Sequence, residues 1–261
     1  MTLTRRLFLA TPSLALAPAL FRAQPAAAAV PNAAFPSQDP HVVREMVTVS
    51  HFNPARVKEL VTRQPALARA AWDWGFGDWE DALGAASHVG NREIAEFLLA
   101  NGARPTMFSA AMLGQLETVK AFVAASPGIQ RTKGPHGITL YMHAVAGGAQ
   151  ARTVKDYLES LGDANTTPTL EPLSDEEMVK LTGVYEFGPG ADERFAIAKP
   201  KNQLSIKREG RLERFLFHVG SLEFYPTGAE AVRISFAESA GMMVMTIRDP
   251  DVVAVARRRA G

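Results

Sequence analysis

Residues 90–105 read GNREIAEFLLANGARP. Gly90-Asn91 is a turn, and Ile94 with the pair Phe97-Leu98 places three apolar side chains on one face of the helix that follows. Asn101-Gly102-Ala103 stops that helix, glycine supplying the left-handed conformation a C-cap requires. The same triplet recurs as Val57 with Leu60-Val61, Val119 with Phe122-Val123, and Val154 with Tyr157-Leu158. Turn signals precede each one: Asn53-Pro54, Gly114-Gln115 and Gly147-Gly148. A second, shorter helix comes before the turn, since Leu83–Gly90 and Met107–Gly114 align through their alanine pairs and final glycines. The triplets are spaced by 37, 25 and 35 residues, so the unit is a pair of helices recurring near 33.

With its second helix and the finger that follows, the stretch 90–105 resembles the ankyrin repeat. The resemblance covers about residues 41–165 as about four irregular units. The family's T-P-L-H opening is replaced by Asp81-Ala82-Leu83-Gly84 in the second unit and by Pro105-Thr106-Met107-Phe108 in the third. What the resemblance implies is an α-solenoid with a concave recognition face and finger loops, built to grip a protein partner and carrying no chemistry of its own.

After Asn165 the chain changes character. Thr166–Pro172 is a proline- and threonine-rich linker, and Ser174-Asp175-Glu176-Glu177 is a capping box opening a short helix that ends near Leu181. From Gly183 the period becomes two, in Arg194–Ala198, Gln203–Lys207, Arg214–Phe217, Val232–Phe236 and Met243–Ile247, with glycine- and proline-rich turns between. Seven or eight short strands in about 75 residues indicate a small antiparallel barrel or a strongly curved sheet. The segment 176–258, opening with Leu181-Thr182-Gly183-Val184-Tyr185, resembles the β-barrel modules appended to bacterial serine hydrolases of the β-lactamase type. Those modules are accessory, and none of that family's catalytic motifs is present. The expected fold class is therefore α+β and multidomain: a signal at 1–29, a linker at 30–40, an ankyrin solenoid at 41–165, a linker at 166–175 and the β domain at 176–258.

The first 29 residues have the layout of an export signal. Arg5-Arg6 precede a short apolar run from Leu7 to Phe21, broken by Pro12 and Pro18, and Ala26–Ala29 offer a cleavage site. The twin arginines and low hydrophobicity resemble a twin-arginine (Tat) signal, so the expected location is the periplasm, with no stable membrane insertion after cleavage. Removing Arg5, Arg6 and Arg22 leaves 25 basic side chains against 27 acidic, turning a net charge of +1 into −2. Nothing in that balance favours nucleic acid as a partner. With no cysteine, the chain has neither disulfides nor thiolate ligands.

No G-x-S-x-G, H-E-x-x-H, phosphate loop or dinucleotide fingerprint occurs. Asp249-Pro250-Asp251 reads as a solvated turn rather than a calcium site. The six histidines, His41, His51, His88, His136, His143 and His218, are assigned structural or surface roles, because only His136 and His143 are close in sequence and Gly137 opposes a helix between them. No catalytic residue, cofactor or metal site is expected. Trp72, Trp74, Phe76, Asp78 and Trp79 crowd into one connection and form the expected partner-binding surface, joined by His136 and Tyr141 from the fourth unit. The function so implied is an exported, non-catalytic adaptor for a protein partner. Its rival is an enzyme or small-molecule binder with a site between the repeats and the β domain, where His136, His143 and carboxylates such as Asp78 converge.

Overall fold

The computed structural model describes residues 33–259, so the expected export signal lies outside the described residues. Helices pair as the periodicity predicts: α1 (Pro40–Val49) with α2 (Pro54–Arg63), α3 (Ala82–His88) with α4 (Arg92–Ala100), α5 (Met107–Met112) with α6 (Leu116–Ala125), and α7 (Leu140–Ala146) with α8 (Arg152–Leu161). Local chemistry fixes their ends. Asn53, Asp81, Asn91, Thr106 and Thr139 each cap a helix by accepting a backbone N–H, and Gly162 terminates α8 at φ +77°.

The apolar triplets face inward. Val57, Leu60, Val61, Ile94 and Leu98 fill one core with Leu83, Met46 and Met112, while Val119, Val154 and Leu158 fill a second with Leu140 and Ala144. Four members depart from this: Phe97, Val123 and Tyr157 are only partly buried, and Phe122 on α6 is exposed. Small residues let α3, α5 and α7 pack against one another pairwise, α3 meeting α7 as well as α5. Gly90 shows how close that approach is: at φ +75° a Cβ there would run into the carbonyl oxygen of Ala146.

The connection expected as a tryptophan-bearing loop is a short antiparallel hairpin of β1 (Ala71–Asp73) and β2 (Trp79–Asp81). Its tip, Gly75-Phe76-Gly77, has positive φ at all three positions.

After residues 166–173, which carry no helix or strand, α9 (Asp175–Leu181) opens on the predicted capping box, with Ser174 and Glu177 bonding reciprocally. Eight strands follow: β3 (Gly183–Glu186), β4 (Arg194–Ala198), β5 (Ser205–Arg208), β6 (Arg214–Gly220), β7 (Glu223–Pro226), β8 (Arg233–Ser239), β9 (Met242–Asp249) and β10 (Val252–Arg258). All neighbouring pairs are antiparallel, and β10 pairs with β3 to close the barrel. Closure leaves no free sheet edge. Alternate side chains, including Tyr185, Ile197, Ile206, Leu216, Phe224, Ile234 and Met245, fill the interior. The fold is thus α+β with a closed barrel, resolving the open choice between barrel and curved sheet.

Strand alternation puts the turns after β3, β5 and β7 on one rim, and α9 at the other end, where Met178 and Leu181 join the barrel core. Phe76, from the hairpin tip, packs against that same core. Arg214 lies at the first rim and bonds Asp78 and the Gly75 carbonyl of the hairpin, while Lys133 and Gly137 from the segment before α7 meet Glu230 and Gly228, so the helical pairs meet the barrel there.

Candidate metal centre

Asp78 and Glu80 alternate with exposed Trp79 on one side of the hairpin, so both carboxylates point inward, 4% and 1% exposed. Burying ionised carboxylates is costly unless they are paired and hydrogen-bonded. Here both are. Asp78 meets the Arg214 guanidinium at 2.9 Å, itself 4% exposed, and accepts the backbone N–H of His136 at 2.8 Å. Burial raises the carboxyl pKa, but bonds from His136 and Arg214 outweigh it and hold Asp78 below its usual value.

Three imidazoles converge on Glu80. The Oε1 atom lies 2.9 Å from His88 Nε2, 3.4 Å from His136 Nε2 and 3.5 Å from His51 Nε2. These four ligand atoms all lie within 4.8 Å of one another. They arrive from separate places: His51 just beyond α1, Glu80 on β2, His88 at the last turn of α3, and His136 in the loop before α7. The left-handed backbone of His136, φ +60°, aims its ring across the seam, and the bond from its own N–H to Asp78 holds that conformation.

For His51 and His136 the outer contacts fix which nitrogen faces inward. His51 Nδ1 lies 3.0 and 3.2 Å from the carbonyls of Thr48 and Val47, which only accept, so Nδ1 carries the proton and Nε2 presents a lone pair. His136 Nδ1 likewise donates to Asp78 at 2.8 Å, and Trp74 Nε1–H donates to the second oxygen of Glu80 at 2.8 Å. Histidine donating its far nitrogen to a carbonyl or carboxylate is the arrangement that orients metal ligands. The 2.9–3.5 Å separations about Oε1 bracket the edge of about 3.3 Å that a tetrahedron with metal–ligand bonds of about 2.0–2.1 Å would have.

The electrostatics are those of ligands sharing protons. Burial opposes the charge on Glu80, yet the three imidazoles hold its carboxyl far below the usual carboxylate range. Burial alone would depress His136, but its bonds to Asp78 and Glu80 raise it to about 9. Burial works against His51 too, and the bond to Glu80 with the charge behind it leaves that ring raised. A divalent cation would replace those protons with one fixed charge. Beside the group, His143 is fully buried and held at about 4 by that burial; its Nδ1 donates to Thr139 at 2.8 Å and its Nε2 has no partner.

Of the residues expected to form a recognition surface, the structure brings together Trp74, Asp78 and His136, as supports and members of the histidine cluster. Trp72 packs half-buried on the first helical core, and Phe76 on the barrel. Trp79 is 64% exposed. Tyr141 packs instead on the second helical core, with the Lys155 ammonium 5.8 Å above its ring. The expectation that the histidines serve only structural or surface roles overlooked the convergence of His51, His88 and His136, and Glu80 and Arg214 went unremarked. The legible signal was Asp78-Trp79-Glu80, two carboxylates at strand spacing that fall on the inner face of a tryptophan-rich hairpin. Compared with models of known protein families, with curated proteins and with solved structures, the chain matches none of them.

Proposed function

We propose that this protein binds a divalent transition-metal ion in the seam between its helical pairs and its barrel, with His51, Glu80, His88 and His136 as ligands. The observation that carries the reading is the convergence of three Nε2 atoms on one buried carboxylate oxygen. Three imidazoles and a carboxylate, without thiolate, suit zinc and its first-row neighbours rather than calcium or magnesium. The reading belongs with the rival set out from sequence, a small-molecule or enzymatic site between the two parts. It also suits export as a folded, loaded protein by the Tat route, and an ankyrin-type stack as the scaffold for three of the four ligands.

Chelator-treated protein titrated with zinc should bind one equivalent tightly, and cobalt should give the visible spectrum of a low-coordinate site. His88→Ala should weaken zinc at least ~100-fold, at or beyond the top of the ~10–100-fold that losing an outer-shell partner of a ligand costs. Zinc binding no tighter than millimolar in the unaltered protein, or untouched by His88→Ala, sinks the reading.

A second reading, the adaptor, is favoured by Trp79, whose large apolar ring stands in solvent beside an open groove lined by Phe108, Pro135 and Gly228. Trp79→Ala should then abolish capture of a protein partner from a periplasmic extract while leaving thermal unfolding unchanged. Undiminished capture would count against it. Trp74, given to Glu80, is no part of that surface.

A further inference from the structure

A cavity of about 270 Å³ opens where the hairpin tip meets the barrel rim. Its lining combines the aromatic side chains Trp74, Phe76 and Phe195 with the guanidinium-bearing Arg208, Arg211 and Arg214. The lining has a single carboxylate, Asp73, and it already accepts the backbone N–H of Gly75 at 2.7 Å. Two of the cations are occupied. Arg214 is committed to Asp78 and to the carbonyls of Thr227 and Gly75. Arg208 donates to the Asp192 carbonyl at 2.8 Å and lies 5.1 Å over the Phe187 ring. Arg211, in the turn after β5, has no carboxylate within 4.0 Å among the described residues.

We propose that this cavity binds a small organic anion on a flat apolar body, of the aryl carboxylate class, with its carboxylate on Arg211 and its ring against Trp74, Phe76 and Phe195. A guanidinium presents paired N–H donors that match a carboxylate, and aromatic walls favour a flat ring over an aliphatic chain of equal size. The volume lies near the lower end of the range for small-molecule sites, about 300–1,000 Å³, which selects a single ring. Charge sets the sign of the ligand: the free cation excludes amines and leaves a neutral analogue without its main polar partner. The cavity stands apart from the metal reading, although Trp74 touches both places.

The test is a benzoate titration of chelator-treated protein, followed by calorimetry and by tryptophan emission. Benzoate should saturate, weaken with added salt and bind at least tenfold less tightly to Arg211→Ala, with benzamide failing to saturate. Benzoate binding that matches benzamide, or that survives Arg211→Ala undiminished, overturns the proposal. Inorganic phosphate binding as tightly as benzoate overturns the aromatic half of it. A parallel zinc titration keeps the two readings apart. Unaltered protein that takes zinc but no benzoate condemns only the cavity, and protein that takes benzoate but no zinc condemns only the metal centre. Arg211 is not among the metal ligands, so Arg211→Ala should lose benzoate with its zinc affinity intact, which also shows that the variant is folded.

Discussion

Asp78→Ala should cost about 3–5 kcal/mol of stability, the largest effect of any single substitution at the seam. The carboxylate is the charge partner of Arg214, and both side chains are almost wholly buried. Removing it strands a guanidinium that still has carbonyl partners but no countercharge. It also releases the backbone N–H of His136, which holds that residue in its left-handed conformation. Urea unfolding followed by circular dichroism measures the loss. The double variant Asp78→Leu with Arg214→Met separates the causes: if the cost comes from the stranded charge, the double change should recover most of it. A loss below about 1 kcal/mol for Asp78→Ala is what an exposed ion pair would give, and it contradicts a buried, charge-paired seam.

Metal-stripped protein should lose stability as pH rises from about 6.5 to about 9. The sign follows from His136: burial opposes its charge, but Asp78 and Glu80 outweigh burial and raise its pKa from 6.5 to about 9. A group with a raised folded-state value contributes fully below the unfolded value and loses its contribution as pH rises through the folded one. With a shift of that size the change is at most on the order of 3 kcal/mol, and it belongs to the coupled group of His51, His136 and Glu80 rather than to one ring. Thermal unfolding at pH 6.5, 8 and 9.5 measures it. His136→Asn, which tolerates the left-handed backbone, should flatten the slope. Zinc-loaded protein should show the opposite trend, since deprotonation frees the ligands as pH rises. A flat profile in the stripped protein would falsify the assigned proton sharing.

Much of the architecture was legible because its causes are local. The inward triplets, the caps at Asn53 and Asn91, the capping box at Ser174 and the strand Arg194–Ala198 are each set by neighbours within a turn or two of chain. Strand number and turn spacing left barrel and curved sheet open, because the pairing of β10 with β3 that closes the barrel joins the two ends of the domain. Phe122 went astray because α6 carries apolar side chains around much of its circumference, and periodicity alone could not choose which of them would face solvent. The histidine cluster was illegible for a different reason. Its members lie 29, 8 and 48 residues apart, a spacing that matches no local motif, and only tertiary packing carries them to one point. Proximity in sequence pairs His136 with His143; the fold instead sets His136 beside His51 and His88, and leaves His143 as a buried neighbour.

The segment 166–173 holds no regular structure, yet it joins the two parts whose meeting builds every feature of the seam. Its backbone ties to the barrel are both at Glu171, whose N–H donates to the His218 carbonyl and whose carbonyl lies 3.1 Å from His218 Nδ1, at the end away from the hairpin. A covalent tether makes docking of hairpin on rim a unimolecular event, with an effective concentration in the millimolar range for a short connection. The seam therefore stays closed without a large apolar interface, and can be polar, ionised and in contact with water. Cutting the chain between Thr166 and Pro172 would leave both cores intact and withdraw only that local concentration, so the nicked protein would separate on dilution at a rate set by Phe76, Asp78 and Arg214.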